Sequence, residues 1–199
     1  MHETAAEARD ALVQRLRLAY SGELAAARAY AGHWRSVRDP DQRARIQQIM
    51  GEELAHRERV GEMLAELGVS PGWLRDRLMW CVGTLIATSC FVGGWYIPMY
   101  GAGRIEKRNI WEYEDAARRA VHAGCSGYVE EFLAMAEVEW DHERFFHDHV
   151  RSHWLHRRLG GWQDPPPREE IRRSFLRGHP PAASRGPPSP RTSCHSDSP

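Results

Sequence analysis

An all-α bundle of four long helices is the architecture this sequence predicts, and three observations carry the prediction. Apolar residues recur at steps of three and four through four separate segments, the period at which a helix keeps one face toward a core. Between residues 5 and 157 the prolines are only Pro40, Pro71 and Pro98, so long helices run without an internal break. After residue 160 the composition turns to Pro, Ser and Arg, which cannot bury enough apolar surface to order itself. At 199 residues the chain has room for one ordinary domain. The expected organisation is a bundle over residues 1–159 and a mostly disordered tail over 160–199, with one or two helical turns around Arg168 to Leu176.

The first helix carries the stripe Leu12, Leu16, Ala19, Glu23, Ala27, Tyr30, Trp34 and stops ahead of Asp39-Pro40-Asp41, which reads as a stop followed by a new start. The second carries Ile46, Ile49, Glu53, His56, Val60, Met63, Leu67 and ends at the turn 68–71. The third carries Met99, Ala102, Glu106, Ile110, Tyr113, Ala117, Ala120 and ends at the turn 123–126. The fourth carries Tyr128, Phe132, Met135, Glu139, His142, Phe146.

Ahead of the third helix, residues 78–103 contain no charged side chain and are long enough to cross a bilayer. Pro98 and the glycines at 83, 93, 94, 101 and 103 would break a single straight helix there. The segment is therefore expected to be a hydrophobic element lying against a membrane surface, with a buried crossover and a true span as the alternatives.

The informative feature is what interrupts the stripes. Glu23, Glu53, His56, Glu106, Glu139 and His142 sit at the centres of faces that must turn inward. Glutamates also stand at 112 and 114 on the third helix. Glu106 is preferred because it lies on the stripe, and because Tyr113 follows it at the same seven-residue interval at which Tyr30 follows Glu23; Glu114 is the fallback. The two halves of the chain repeat one plan, a single Glu followed by a Glu-x-x-His, with 30 residues from Glu23 to Glu53 and 33 from Glu106 to Glu139. Positions i and i+3 share a helix face, so each Glu-His pair can grip one ion. An isolated Glu-x-x-His arises readily by chance; six such residues in matching register do not.

Burying isolated carboxylates is very unfavourable, and several around one axis repel one another, so something cationic must sit among them. Two divalent ions answer that need. The oxygen-rich set with two imidazoles suits iron, with manganese also compatible, rather than the thiolate-rich structural zinc sites. Tyr30 and Tyr113 are expected to be packing residues. His122, His147, His149, His153 and His156 are expected to be solvated or capping, with His149 also placed to support a ligand from behind.

Bulk properties exclude other classes. Basic and acidic residues balance at 27 each and are mixed along the helices, which argues against nucleic-acid binding. The four cysteines form no CxxC pair and the N-terminus lacks a basic-then-apolar leader, which fits a reducing cytoplasm with contact to the inner face of the cell membrane.

With these residues placed, the chain resembles the ferritin-like di-iron superfamily and is most similar to its demethoxyubiquinone hydroxylase family. The resemblance covers roughly residues 15 to 150. It rests on Tyr20-Ser-Gly-Glu23, Ala29-Tyr30-Ala31-Gly32, Glu52-Glu53-Leu-Ala-His56, Glu139-Trp-Asp-His142-Glu143 and the charge-free stretch entered through Trp80 and Gly83. It implies an oxygen-dependent hydroxylase acting on a ring carbon of a polyprenylated quinone intermediate at a membrane. It further implies two irons bridged by the catalytic carboxylates Glu53 and Glu139, with Glu23 and Glu106 as terminal ligands and one of His56 and His142 on each iron. The implied partners are dioxygen, a hydrophobic quinone-like substrate, an unspecified electron donor, a membrane met through 78–103 and a second copy of the chain. Around Glu106 the run Arg104-Ile-Glu-Lys-Arg-Asn109 is more charged than the family pattern, and Glu143 stands where a second histidine is usual.

Two other classes share part of the pattern. An iron-oxidising or peroxide-reducing protein of ferritin or rubrerythrin type would use the same ligands without an organic substrate. Its rubredoxin-like CxxC pairs are absent here, and the apolar stretch is unexpected in a soluble cage. A metal-free helical interaction module would instead pair the acidic stripe residues with arginines.

Overall fold

The computed structural model describes residues 4–158 and 163–178, and within them all regular structure is helical. Expectations for 159–162 and 179–199 lie outside the described residues. The core helices are α1 (Ala5–Ser36), α2 (Pro40–Glu66), α4 (Tyr96–His122) and α5 (Val129–Val150). Around them lie α3 (Trp73–Ser89), the short α6 (Trp154–Arg158) and α7 (Glu169–Gly178).

Local chemistry sets the boundaries. Thr4 caps α1 in a reciprocal box with Glu7, each bonding the other's backbone N–H. Asp39 accepts from the N–H groups of Asp41 and Gln42, and Pro40 takes the first helical position, where no N–H is needed. Gly68 and Gly124, at φ 70° and 73°, carry the chain out of α2 and α4 through the left-handed region that favours glycine.

α1 packs on α2 and α4 on α5, while α1 against α4 and α2 against α5 close the bundle. The predicted stripes are the faces turned inward. They form two apolar blocks, one around Leu12, Met63, Leu64 and Phe132, the other around Ile46, Ile49, Met99 and Phe146.

The charge-free stretch is a hydrophobic crossover with an extra helix ahead of the third core helix, partly exposed rather than buried. It is divided among the end of α3, a turn over 90–95 containing Gly94 at φ 67°, and the start of α4, with Pro98 in the first turn of α4. No helix of the described residues is long and apolar enough to cross a membrane. α3 packs chiefly against α1, with Arg57 of α2 donating to Asp76 at 2.6 Å, and glycine permits the close crossing of α1 and α3. A Cβ at Gly32 would lie 2.3 Å from the Ala87 carbonyl oxygen, and one at Gly83 would lie 2.5 Å from that of Ala25. Other side chains of α3 and the following turn face outward, leaving Trp73, Leu78, Leu85, Phe91 and Val92 exposed.

The helical turns anticipated around Arg168 to Leu176 form the ten-residue α7, so packed chain continues past residue 159. Ile171 and Phe175 join the block containing Leu12 and Phe132. Arg172 donates to Glu137 at 2.6 Å and Glu130 at 2.7 Å, and Trp140 donates to the Pro166 carbonyl at 2.7 Å. Burial of each apolar side chain contributes roughly 1.5–3 kcal/mol, enough to hold a short helix whose surroundings are polar.

The glycine crossing is testable in urea. Gly32→Ala is expected to lower unfolding free energy by about 1–3 kcal/mol, because α3 must move or strain. Gly51→Ala in α2, where no atom lies within 4 Å of the new methyl, is expected to raise it by up to ~1 kcal/mol. Equal responses would show that α3 does not sit against α1 through this contact.

Candidate metal centre

The four core helices bring all six intruding side chains together between the two apolar blocks. α1 supplies Glu23, α2 Glu53 and His56, α4 Glu106, and α5 Glu139 and His142; none is more than 7% exposed. They form two overlapping sets of potential ligands, Glu23, Glu53, His56 and Glu139, and Glu53, Glu106, Glu139 and His142. Within each set the ligand atoms lie within 4.8 Å of one another. Glu53 and Glu139 belong to both, the position a carboxylate bridging two ions must occupy. Glu114 lies outside both, paired with Arg118 at 3.2 Å, and Glu112 pairs with Arg108 and Arg15.

The bonding inside the centre fits a pair of cations. Both oxygens of Glu53, Glu23 Oε2 and His142 Nδ1 are buried without a hydrogen-bond partner. His142 Nδ1 lies 3.2 Å from Glu53 Oε1 and 3.6 Å from Glu139 Oε2, so it converges on both carboxylates without bonding either, while His56 Nδ1 meets Glu139 Oε1 at 3.1 Å. Glu53 and Glu106 are pushed well above the carboxylate range, first by burial and then by neighbouring carboxylates, and burial also raises Glu23. In Glu139 burial acts the same way, but the imidazoles of His142 and His56 beside it outweigh burial and hold the carboxyl low. Two divalent ions on this O/N donor set would remove the repulsion and give each orphaned atom a partner.

Groups behind these residues orient them. Tyr30 donates to Glu106 and Tyr113 donates to Glu23, so each half of the chain braces the single glutamate of the other. Burial and the nearby carboxylates push both phenols well above their ordinary range, which keeps them protonated as donors. The expectation of plain packing is therefore corrected. The seven-residue interval was visible in the sequence, but the cross-pairing depends on α1 and α4 lying side by side. Asn109 donates to Glu106 at 3.0 Å and to Glu139 at 3.4 Å. Glu52 was not anticipated. Its Oε2 lies 2.7 Å from His142 Nε2, which fixes that nitrogen as the N–H and leaves Nδ1 as the ligand atom. The His142 contact lowers the Glu52 carboxyl to about 2. Position 138, which precedes Glu139 as Glu52 precedes Glu53, is a valine, so His56 has no matching partner there.

The remaining histidines are not uniform. His149 bonds the Phe145 carbonyl and stays away from the centre, whereas His147 and His156 are buried rather than solvated, the former 3.1 Å from Asp164.

A cavity of about 760 Å³ reaches the centre from one side. Glu23, Tyr30, Glu106 and Tyr113 stand in its wall, together with Val82 and Ile86 of α3. Its space exists because the facing surfaces of α1 and α4 carry small residues such as Gly22, Ala26 and Gly101 where larger ones would fill it.

Residues 10–107 match the model of a family described as ubiquinone biosynthesis protein COQ7. Over this span, just under half of the chain, the sequence is similar to the COQ7 family. No curated protein and no solved structure matches the chain. The COQ7 region begins in α1 and ends just past Glu106, so it holds Glu23, Glu53, His56 and Glu106, all of α3 and most of the cavity wall. Glu139 and His142 lie beyond it, brought to the COQ7 ligands by the α4–α5 hairpin.

Ferrous iron added anaerobically at about a hundredfold over its dissociation constant is expected to stabilise the protein by about 2.7 kcal/mol. In a chain of this size that raises Tm by roughly 5–10 °C. Glu52→Gln is expected to weaken metal binding by about 10–100-fold while leaving the metal-free Tm nearly unchanged. A variant that binds as tightly as the parent would show that Glu52 does not hold His142 for the metal.

Proposed function

We propose that the protein is an oxygen-dependent di-iron monooxygenase that hydroxylates a hydrophobic, quinone-type ring. The observation carrying this reading is the cavity that runs from beneath α3 to the carboxylates Glu23 and Glu106. An iron-storing or peroxide-reducing centre has no need of an apolar chamber of this size, whereas a lipid-like ring has. Similarity of residues 10–107 to a ubiquinone biosynthesis family supports the same substrate class.

In this reading Glu23, Glu53, His56, Glu106, Glu139 and His142 would hold two iron ions, Glu53 and Glu139 belonging to both sets of potential ligands. The bound irons supply the electrons and open positions for activating dioxygen. The chain's own contribution is placement. Tyr30 and Tyr113 hold the outer carboxylates by hydrogen bonds, Glu52 turns His142 toward the centre, and Asn109 ties Glu106 to Glu139. The apolar blocks on either side keep water out, which protects a reactive centre from side reactions. The small residues of α1 and α4 leave room for a flat ring beside Glu23 and Glu106.

The exposed face of α3 and its turn supports docking on a membrane surface, from which a polyprenylated ring would enter the cavity. Leu85 and Val92, 72% and 86% exposed, are among its most prominent side chains. Cosedimentation with liposomes is expected for the parent protein and strongly reduced for Leu85→Asp combined with Val92→Asp. Unchanged sedimentation of the double variant would exclude this face as the contact.

The chemistry is tested with anaerobically reduced, iron-loaded protein given a short-chain methoxybenzoquinol and then air. A product heavier by one oxygen atom is expected by mass spectrometry. Glu53→Ala should bind less iron and yield no such product. Product formation by Glu53→Ala, or none by the iron-loaded parent, would overturn the hydroxylase reading.

A further inference from the structure

One cavity-wall residue has no part in the metal centre. His33 of α1 is 2% exposed, lines the cavity, and has no hydrogen-bond partner at Nε2. A buried imidazole without a partner is destabilising, and native cores seldom keep one unless something else bonds it. Its orientation is well defined. The ring stacks on Phe146, centroids 5.8 Å apart and planes 15° apart, and on Tyr30 at 6.1 Å and 17°. Tyr30 in turn donates to Glu106, so one aromatic ring separates His33 from a carboxylate of the centre. A six-membered ring seated beside Glu106 spans a comparable distance.

We propose that His33 is a specificity-determining residue that hydrogen-bonds a ring oxygen of the quinone-type substrate held in the cavity, an inference that rests on the hydroxylase reading above. Val82, Ile86 and Ala26, by contrast, offer only apolar contact. Burial lowers the imidazole to about 4, so at neutral pH it is uncharged, with one N–H to donate and one lone pair to accept. That chemistry suits the carbonyl of a quinone or the hydroxyl of a quinol, whereas it offers no charge to a carboxylate or phosphate. An apolar chamber binds rings of similar shape with little discrimination; a buried polar atom rejects the analogue that cannot bond it.

The test compares binding of a short-chain methoxybenzoquinone with that of an alkylbenzene carrying the same chain, by calorimetry on the iron-loaded full-length protein. His33→Phe keeps the stacking shape and removes the nitrogens; His33→Gln restores a donor and an acceptor. Quinone affinity is expected to fall about tenfold in His33→Phe and to stay within about threefold of the parent in His33→Gln, with alkylbenzene binding unchanged in both. Equal quinone affinity in His33→Phe and the parent overturns this inference alone. Equal losses for both ligands also overturn it, because they mark a disturbed cavity rather than a lost hydrogen bond. Failure of the parent to bind the quinone sinks the hydroxylase reading along with it. Should His33→Phe not melt cooperatively, His33→Leu is judged by the same criteria.

Discussion

Four buried carboxylates converging on one small volume are the constraint to which the rest of the molecule answers. Uncompensated, such a cluster strongly disfavours the folded chain, since burial and mutual repulsion both oppose ionisation. The two apolar blocks, one on each side of the polar layer, fasten the helices so that the carboxylates cannot move apart to relieve it. The hydrophobic effect thus holds in place a centre that only cations make comfortable. The same rigidity keeps the donor atoms in position for a metal before it arrives.

Much of this was legible from residues alone, for a definite reason. A side chain's face on a long helix follows from its number, so an acidic residue at the centre of an apolar stripe betrays its direction without coordinates. Glu23, Glu53, His56, Glu106, Glu139 and His142 were visible in this way, and the stop and start at Asp39-Pro40 were equally local. What escaped depends on which helix lies next to which. Glu52 sits beside the stripe of α2 and reaches His142 across the bundle, a contact separated by 90 residues. The exchange of Tyr30 and Tyr113 between halves needs the α1–α4 pairing. The helical turns of α7 were legible, but their docking on the bundle was not, because it rests on Arg172 meeting Glu137 and Glu130 of another helix.

The repeated plan hides an asymmetry that matters for chemistry. Both halves carry a Glu and a Glu-x-x-His, yet only His142 has a carboxylate behind it, because residue 138 is valine where residue 52 is glutamate. A carboxylate behind an imidazole increases its basicity toward a metal. The two candidate metal positions are therefore unequal in their surroundings, although their sets of potential ligands are alike in type.

Surroundings differ on the larger scale too. α3 lies over α1 through Gly32 and Gly83, while α7 covers part of the α4–α5 side with Ile171 and Phe175. The cavity lies under α3, and the potential ligands it meets are Glu23 and Glu106, the carboxylates present in only one set each; Glu53, Glu139 and both histidines are absent from its wall. A ring entering from that side approaches the outer carboxylates and leaves the shared pair on the far side of the centre. Chemistry that must change the outer ligands during turnover can do so without loosening Glu53 and Glu139. The tyrosines that brace Glu23 and Glu106 stand in the same wall, so a bound ring lies next to the groups that fix both carboxylates. On the proposed reading, substrate occupancy would be coupled to ligand geometry through Tyr30 and Tyr113, and His33, stacked on Tyr30, would bring the substrate's own polar atoms into that contact.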